Sequence, residues 1–285
     1  MSRLAEARAG APRRSLRRVP ISIVVAAATA LVFLFLAVFG TLVAPYDPDL
    51  QDLALGVAPP SAAHWLGTDQ LGRDVFSRLI VATGPALAGP IVVAIATVLV
   101  GASLGLLAGY FGGRTDDIIS RVADLIWSLP GLLVAIVVIG VLQGGLWLTV
   151  AVIAFISSPH AIRQTRSATL AQIGLPYVAA ARTMGLSDVR IVVRHLLPNV
   201  RATVITTAML DFVTAILVFA ALAFLRIGVE PGAANWGTTL ADGQTLITVN
   251  LAVIAAPAIA IVAVAASITV IGDWGHERAT GEAGR

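Results

Sequence analysis

Few side chains in this sequence could do chemistry. One carboxylate, Asp211, interrupts the apolar run at residues 201–225, and an acid inside a membrane-length segment is a functional-site hypothesis in its own right. The alternative sets Asp211 near the end of that segment, bonded to Thr206 or Thr207 on the preceding turn. His64, His160, His195 and His276 show no clustered ligand spacing, so direct metal coordination is unsupported. H-E-x-x-H does not occur, and scattered serines and threonines do not make a convergent catalytic set. Cysteine is absent, which removes disulfides, thiolates and zinc–thiolate sites. All 19 basic residues are arginine, so the P-loop lysine is missing and lysine Schiff-base chemistry with it. A nucleotide that drives this protein must be bound by a partner.

The elements that hold these groups are membrane spans. Of 285 residues, 58% are hydrophobic and 12% charged, against about 25% charged in ordinary soluble domains; the mean hydropathy is +0.90. A bilayer core needs about 20 apolar residues per helix, and six windows qualify: 21–44, 90–110, 125–142, 146–162, 201–225 and 248–271. The fourth is the weakest, interrupted by Ser157, Ser158 and Pro159. The last tolerates Pro257 because neighbouring helices can satisfy the freed carbonyl. The net charge of +3 is spread over membrane-flanking segments rather than gathered on a soluble face, which argues against nucleic-acid binding.

Arginine placement sets the orientation. Arg3, Arg8, Arg13, Arg14, Arg17 and Arg18 precede the first span against Glu6 alone. Arg163, Arg166, Arg182, Arg190, Arg194 and Arg201 fall between the fourth and fifth. Residues 45–83 carry two arginines against Asp47, Asp49, Asp52, Asp69 and Asp74. Six spans with both termini cytoplasmic satisfy all of this. The first span is too long for a signal-peptide core and lacks an A-x-A site, so it is expected to be a retained anchor.

Two segments do not span. At 64–80, Leu71, Val75, Phe76, Leu79 and Ile80 recur at helical spacing. They predict a short interfacial helix on the outer surface, either a lid on the bundle or part of its mouth, with Thr68 or Asp69 at its start and Asp74 four residues from Arg78. At 177–199 the sequence predicts a helix through Ala179, Ala180, Ala181 and Arg182, stopped by Gly185. Leu186 follows, then a second helix capped by Ser187 with Asp188 in its first turn. Pro198 marks the return to the fifth span. Such a basic, amphipathic helix–turn–helix either lies on anionic lipid or docks a soluble partner; the flat face of three alanines and the capped turn fit docking better.

This segment resembles the E-A-A-x3-G-x9-I-x-L-P coupling motif of inner-membrane permease subunits of bacterial ABC importers. Ala180, Ala181, Gly185, Leu197 and Pro198 are in register, and Ala179 stands where the family usually has glutamate. G-T-D-Q-L-G-R-D-V-F-S-R, carried by Gly67, Thr68, Asp69, Gly72, Arg73, Asp74, Ser77 and Arg78, is similar to a signature of the dipeptide/oligopeptide group. L-A-G-Y-F-G-G at 107–113, W-S-L-P-G-L-L at 127–133 and N-W-G at 235–237 extend the likeness over most of the chain. It departs at Phe219, where members commonly have glutamate, and at F-L-R-I-G, where Arg226 replaces glycine.

The resemblance implies an all-α integral membrane fold and the C-type permease subunit of an ATP-driven importer of short peptides. The expected organisation is a cytoplasmic tail at 1–20, an anchor at 21–44, an external loop at 45–85, a permease core at 86–272 containing the coupling segment 163–200, and a second cytoplasmic tail at 273–285. Such a subunit sits in the bacterial plasma membrane and does no bond chemistry. Its implied partners are a second permease subunit, one or two cytoplasmic P-loop ATPases that bind ATP and Mg, and an external substrate-binding protein. Nickel chelates, glutathione or oligosaccharides are alternative cargos of the same machine. A secondary transporter or an intramembrane enzyme is the reading from outside the class.

Overall fold

The computed structural model describes residues 20–280, so nearly all of the basic amino-terminal tail lies outside the described residues. The described chain is all-helical: α1 (Ile21–Val43), α2 (Val75–Val81), α3 (Thr83–Phe111), α4 (Gly113–Trp127), α5 (Gly131–Leu142), α6 (Leu146–Ile173), α7 (Pro176–Thr183), α8 (Asp188–Ile191), α9 (Leu197–Phe224), α10 (Trp236–Gly243) and α11 (Ala252–Thr280). Five of its helical stretches are long and apolar enough to cross a bilayer, or six if the bent pair α4–α5 counts as one.

Packing centres on α3. Gly101, Gly105 and Gly109 recur every four residues and form a flat stripe on one face. A Cβ on Gly101 would lie 2.4 Å from Ala161 Cβ, and one on Gly105 or Gly109 2.6 Å from the Cβ of Thr165 or Thr169. Close backbone approach through small residues substitutes for the hydrophobic effect, which is absent between helices in lipid. Here it locks α6 onto α3. Nearer the amino end of α3, Val93 packs with Ala135, Ile139, Val150, Ile153, Ala215 and Leu222 from α5, α6 and α9. The anchor α1 packs on α11 and is the least covered span.

Several span boundaries differ from the sequence expectation: α3 already begins at Thr83, and α11 continues past 271 to Thr280, into the segment expected as a tail from 273. The run 125–142 is not one helix: it breaks at Ser128–Pro130 and bends by 76° between α4 and α5. Pro130 removes a backbone donor and turns Leu129 away from helical geometry. The span at 146–162 does not stop before Arg163. α6 runs through Pro159 to Ile173, because Arg163 and Arg166 are paired across to Asp124 and Asp116 on α4. The fifth span begins well before residue 201, and Pro198 lies within the same helical run. Asp188 to Phe224 is one run that passes through a π-helical stretch at Val192–Leu196, and Pro198 follows that stretch, where the altered hydrogen-bond register accommodates its missing N–H.

Candidate functional site

One end of the bundle carries the 174–196 hairpin. Its inner face is packed: Val178, Ala181, Ile191 and Leu196 join Leu106 and Tyr110 of α3 and Val200 and Val204 of α9. α7 ends as a Schellman turn, in which Gly185 N donates to Arg182 O and Leu186 N to Ala181 O. Gly185 occupies the left-handed region at φ +72°. Ala181 is buried in this chain's own core, so the outward face offers two alanines, Ala179 and Ala180, rather than three. Ser187 is the N-cap of α8 but makes no side-chain cap bond.

A residue that sequence reasoning passed over holds the hairpin in place. Tyr110 Oη donates to Asp188 Oδ1 at 2.6 Å, and the Arg182 guanidinium lies 5.1 Å over the Tyr110 ring. The L-A-G-Y-F-G-G motif contained the signal, since its tyrosine stands at the end of a glycine-stripe helix. On the outer face Met184, Val189 and Val193 are 70%, 73% and 58% exposed. Arg182, Arg190 and Arg194 are exposed beside them, as are Ser187, Asp188 and Pro198, while Leu186 and Leu197 are half-buried.

The opposite end holds residues 45–74 and the α9–α11 connection. Here the helix begins only at Val75, later than the expected 64–80 run, and Asp74 rather than Thr68 or Asp69 is its cap, accepting from Ser77 N at 2.7 Å. The expected Asp74–Arg78 pair does not form. Asp74 is taken by Ser77 Oγ at 2.7 Å and by His64 Nδ1 at 2.9 Å. Arg78 donates to Pro48 O at 3.0 Å and lies 3.4 Å from Asp49. Asp69 accepts from Arg73 Nε at 2.7 Å and from the backbone N–H groups of Leu71 and Arg73. Thr68 Oγ1 accepts from Ala58 N and donates to Gly56 O, both at 2.7 Å. Gly67 and Gly72 both have left-handed φ, and a Cβ on Gly72 would stand 1.9 Å from Asp52 O. The motif is a buried polar frame whose groups satisfy one another. N-W-G belongs to the same frame: Asn235 caps α10, and Trp236 Nε1 donates to Leu79 O at 3.0 Å.

Asp211 is not near a span end and is not bonded to Thr206 or Thr207. Its Oδ1 lies 3.0 Å from His160 Nδ1, the residue is 4% exposed, and its Oδ2 has no hydrogen-bond partner. Thr206 is 3.3 Å from His276 instead. The pairing of α6 with α9, invisible in one-dimensional spacing, brings the two groups together. Phe219 fills the space over Gly89. No group of three or more His, Cys, Asp or Glu residues suited to a metal occurs among the described residues.

This architecture, a multi-pass helical bundle bearing a packed hairpin at one end and a polar frame at the other, defines a membrane permease. Residues 101–279 match the family described as binding-protein-dependent transport system inner membrane component. The chain is 36% identical over 251 residues to the probable D,D-dipeptide transport system permease protein of Escherichia coli, covering 88% of this chain and 84% of that one. It is 38% identical over 249 residues to the di/tripeptide transport system permease protein of Pseudomonas aeruginosa (85% and 82%). With the glutathione transport system permease protein of Pectobacterium atrosepticum it shares 34% identity over 247 residues (85% and 81%). A chain of the MetNI methionine ABC transporter in an inward-facing conformation superposes at TM-score 0.56 with 19% identity, covering 71% of this chain and 96% of that one, which establishes the shared fold. The chain belongs to the binding-protein-dependent transport system permease family.

Proposed function

We propose that this chain forms half of the translocation pathway of an ATP-driven importer of short peptides and contains no catalytic site of its own. The observation that carries this reading is the 174–196 hairpin: packed and clamped by Tyr110 on its inner side, it leaves Met184, Val189 and Val193 exposed among arginines on the other. A rigid knob with an uncovered apolar face fits a protein groove better than water. Its partner is a cytoplasmic P-loop ATPase, one or two copies per complex, which binds the ATP and Mg that this lysine-free chain cannot hold in a P-loop. A second permease subunit completes the pathway, and an external binding protein delivers cargo to the other end.

Mechanistically, closure of the ATPase dimer moves the hairpin. Because Asp188 to Phe224 is one helical run, that movement passes directly into α9, and Tyr110 passes it into α3. The drive is the difference in the motor's affinity for the two membrane conformations. Clustering of arginine at the hairpin end supports the reading that this end, and both chain termini, face the cytoplasmic side of a bacterial plasma membrane. Peptide cargo is supported by the names of the di- and tripeptide relatives; the glutathione relative is a modified tripeptide carrier and keeps the second cargo class in view.

The test is purification of the tagged chain in mild detergent with mass spectrometry of what accompanies it. A second six-span subunit and a P-loop ATPase are expected. A chain recovered alone under every detergent condition would overturn the coupling reading.

A further inference from the structure

His160 and Asp211 are each the fifteenth of 28 residues in α6 and α9. Their contact therefore lies in the interior of two crossing membrane-length helices, one turn before Arg163 on α6 and well inside the continuous run Asp188–Phe224. A carboxylate at that depth is costly and is retained where it faces protein or a water-filled cavity. Here it lines a cavity of about 340 Å³ together with His160, Ser157, Thr214, Trp127 and Gly131. One carboxylate oxygen is engaged by His160, while Oδ2 has no partner at all. A buried acceptor left unsatisfied calls for an explanation, and a ligand that arrives and leaves is one.

The amino end of α5 also lines the cavity. The break at Ser128–Pro130 brings the first residue of that helix, Gly131, to the cavity wall. The first N–H groups of a helix have no intrahelical partner, and Pro130 makes no side-chain cap. These donors and the helix dipole favour a negative group. Trp127 closes the break from the other side: it stacks on His160 with centroids 6.2 Å apart, and Arg163 lies 4.7 Å over its ring. In secondary transporters a broken helix whose half-helix amino end lies beside a polar group builds a site for a charged solute.

We propose that this cavity is a transient subsite for the two charged ends of a short peptide in transit, with the α-ammonium on Asp211 Oδ2 and the carboxylate at the amino end of α5. The assignment rests on the peptide-importer reading above and deepens it. Oδ2 is shielded in the present conformation, so a small opening between α6 and α9 admits the ammonium. His160 is a positioning residue: held on Oδ1, it fixes which oxygen is offered.

The experiment uses the whole transporter, with its permease partner, ATPases and binding protein, in proteoliposomes. Radiolabelled dialanine uptake and binding-protein-stimulated ATP hydrolysis are measured together for the unaltered chain, Asp211→Asn and Thr214→Leu. Thr214→Leu fills the cavity without touching the His160–Asp211 contact, and so keeps the test sharp should Asp211→Asn assemble poorly. For assembled complexes we expect uptake to fall at least tenfold in both variants while stimulated hydrolysis stays within about twofold. In complexes lacking binding protein, retained dialanine should be displaced by unlabelled dialanine and not by its N-acetyl derivative. Unchanged uptake in Asp211→Asn and Thr214→Leu, or equal displacement by the acetylated peptide, overturns the subsite and leaves the importer standing. No dialanine uptake by the unaltered complex overturns the peptide reading, and the subsite with it.

Discussion

The two ends of this molecule carry sequence signatures of similar prominence and use them in opposite ways. At the 45–74 end, Asp69, Arg73, Asp74, Ser77 and Arg78 are buried and satisfy one another within the chain. At the hairpin end the motif is only half used: Val178 and Ala181 are buried, while Met184 and Val189 lie open. A signature that is internally complete holds a fold together. One that leaves an apolar face uncovered is complementary to something else. Motif strength alone does not separate the two, but burial does.

The sharpest way to break this comparison is Asp69→Ala. It strands Arg73, whose side chain is 8% exposed, and removing one partner of a buried pair costs about 3–5 kcal/mol. We expect loss of the folded chain from the membrane, seen as aggregation on detergent size-exclusion. Normal yield and melting temperature in Asp69→Ala would show that the frame is not structural.

The converse is Val189→Asp. The side chain is 73% exposed, so the melting temperature of the isolated chain should move by less than about 0.5 kcal/mol equivalent, the usual range for surface changes. Co-purification of the ATPase should fall at least tenfold, since burying an unpaired carboxylate in an apolar contact costs several kcal/mol. A variant that keeps its ATPase would move the docking surface away from the hairpin's outer face.

Tyr110→Phe sharpens the comparison further because it touches the clamp and not the face. The ring and its contact with Arg182 remain, and only the hydroxyl donated to Asp188 is lost. A hydrogen bond to a charged group contributes about 1.5–3 kcal/mol when well buried and less here, where the pair is half-buried. The expected outcome is an assembled complex whose peptide uptake per ATP falls several-fold, measured in proteoliposomes. Unchanged stoichiometry would mean that α9 alone carries the movement.

Much of the architecture was legible because bilayer thickness imposes a length that apolar runs must meet, and Gly185 announced its turn through the one backbone conformation that favours glycine. What escaped was pairing between elements. Nothing local to Asp211 indicates His160, fifty-one residues away, and Asp74 with Arg78 looked like a surface pair until the loop before them supplied better partners. The continuation of α6 past Arg163 was hidden for the same reason, because the compensating carboxylates lie on α4. The glycine stripe at 101, 105 and 109 was readable as a small-residue face and would have identified the tightest helix contact.

The smallest effect concerns two helix ends built alike. α7 and α9 both finish in Schellman turns: Arg226 N donates to Ala223 O and Ile227 N to Leu222 O, matching the bonds around Gly185. In α9 the left-handed position is held by Arg226 at φ +60°. A side chain there costs about 1–2 kcal/mol relative to glycine. Its exposed ion pair with Asp242 returns no more than about 1 kcal/mol, and its charge suits the carboxyl end of the helix by a similar amount. Arg226→Gly should therefore change stability little, within about 1 kcal/mol of either sign, whereas Gly185→Ala, which brings no charge to offset the left-handed strain, should destabilise α7 by about 1–2 kcal/mol. Thermal melts of the two variants in the same detergent check this. Equal losses in both would mean that Asp242 and the helix end compensate less than their geometry implies, and that the place of Arg226 in a cavity wall beside Asp69, Arg73 and Glu230 does not offset the strain.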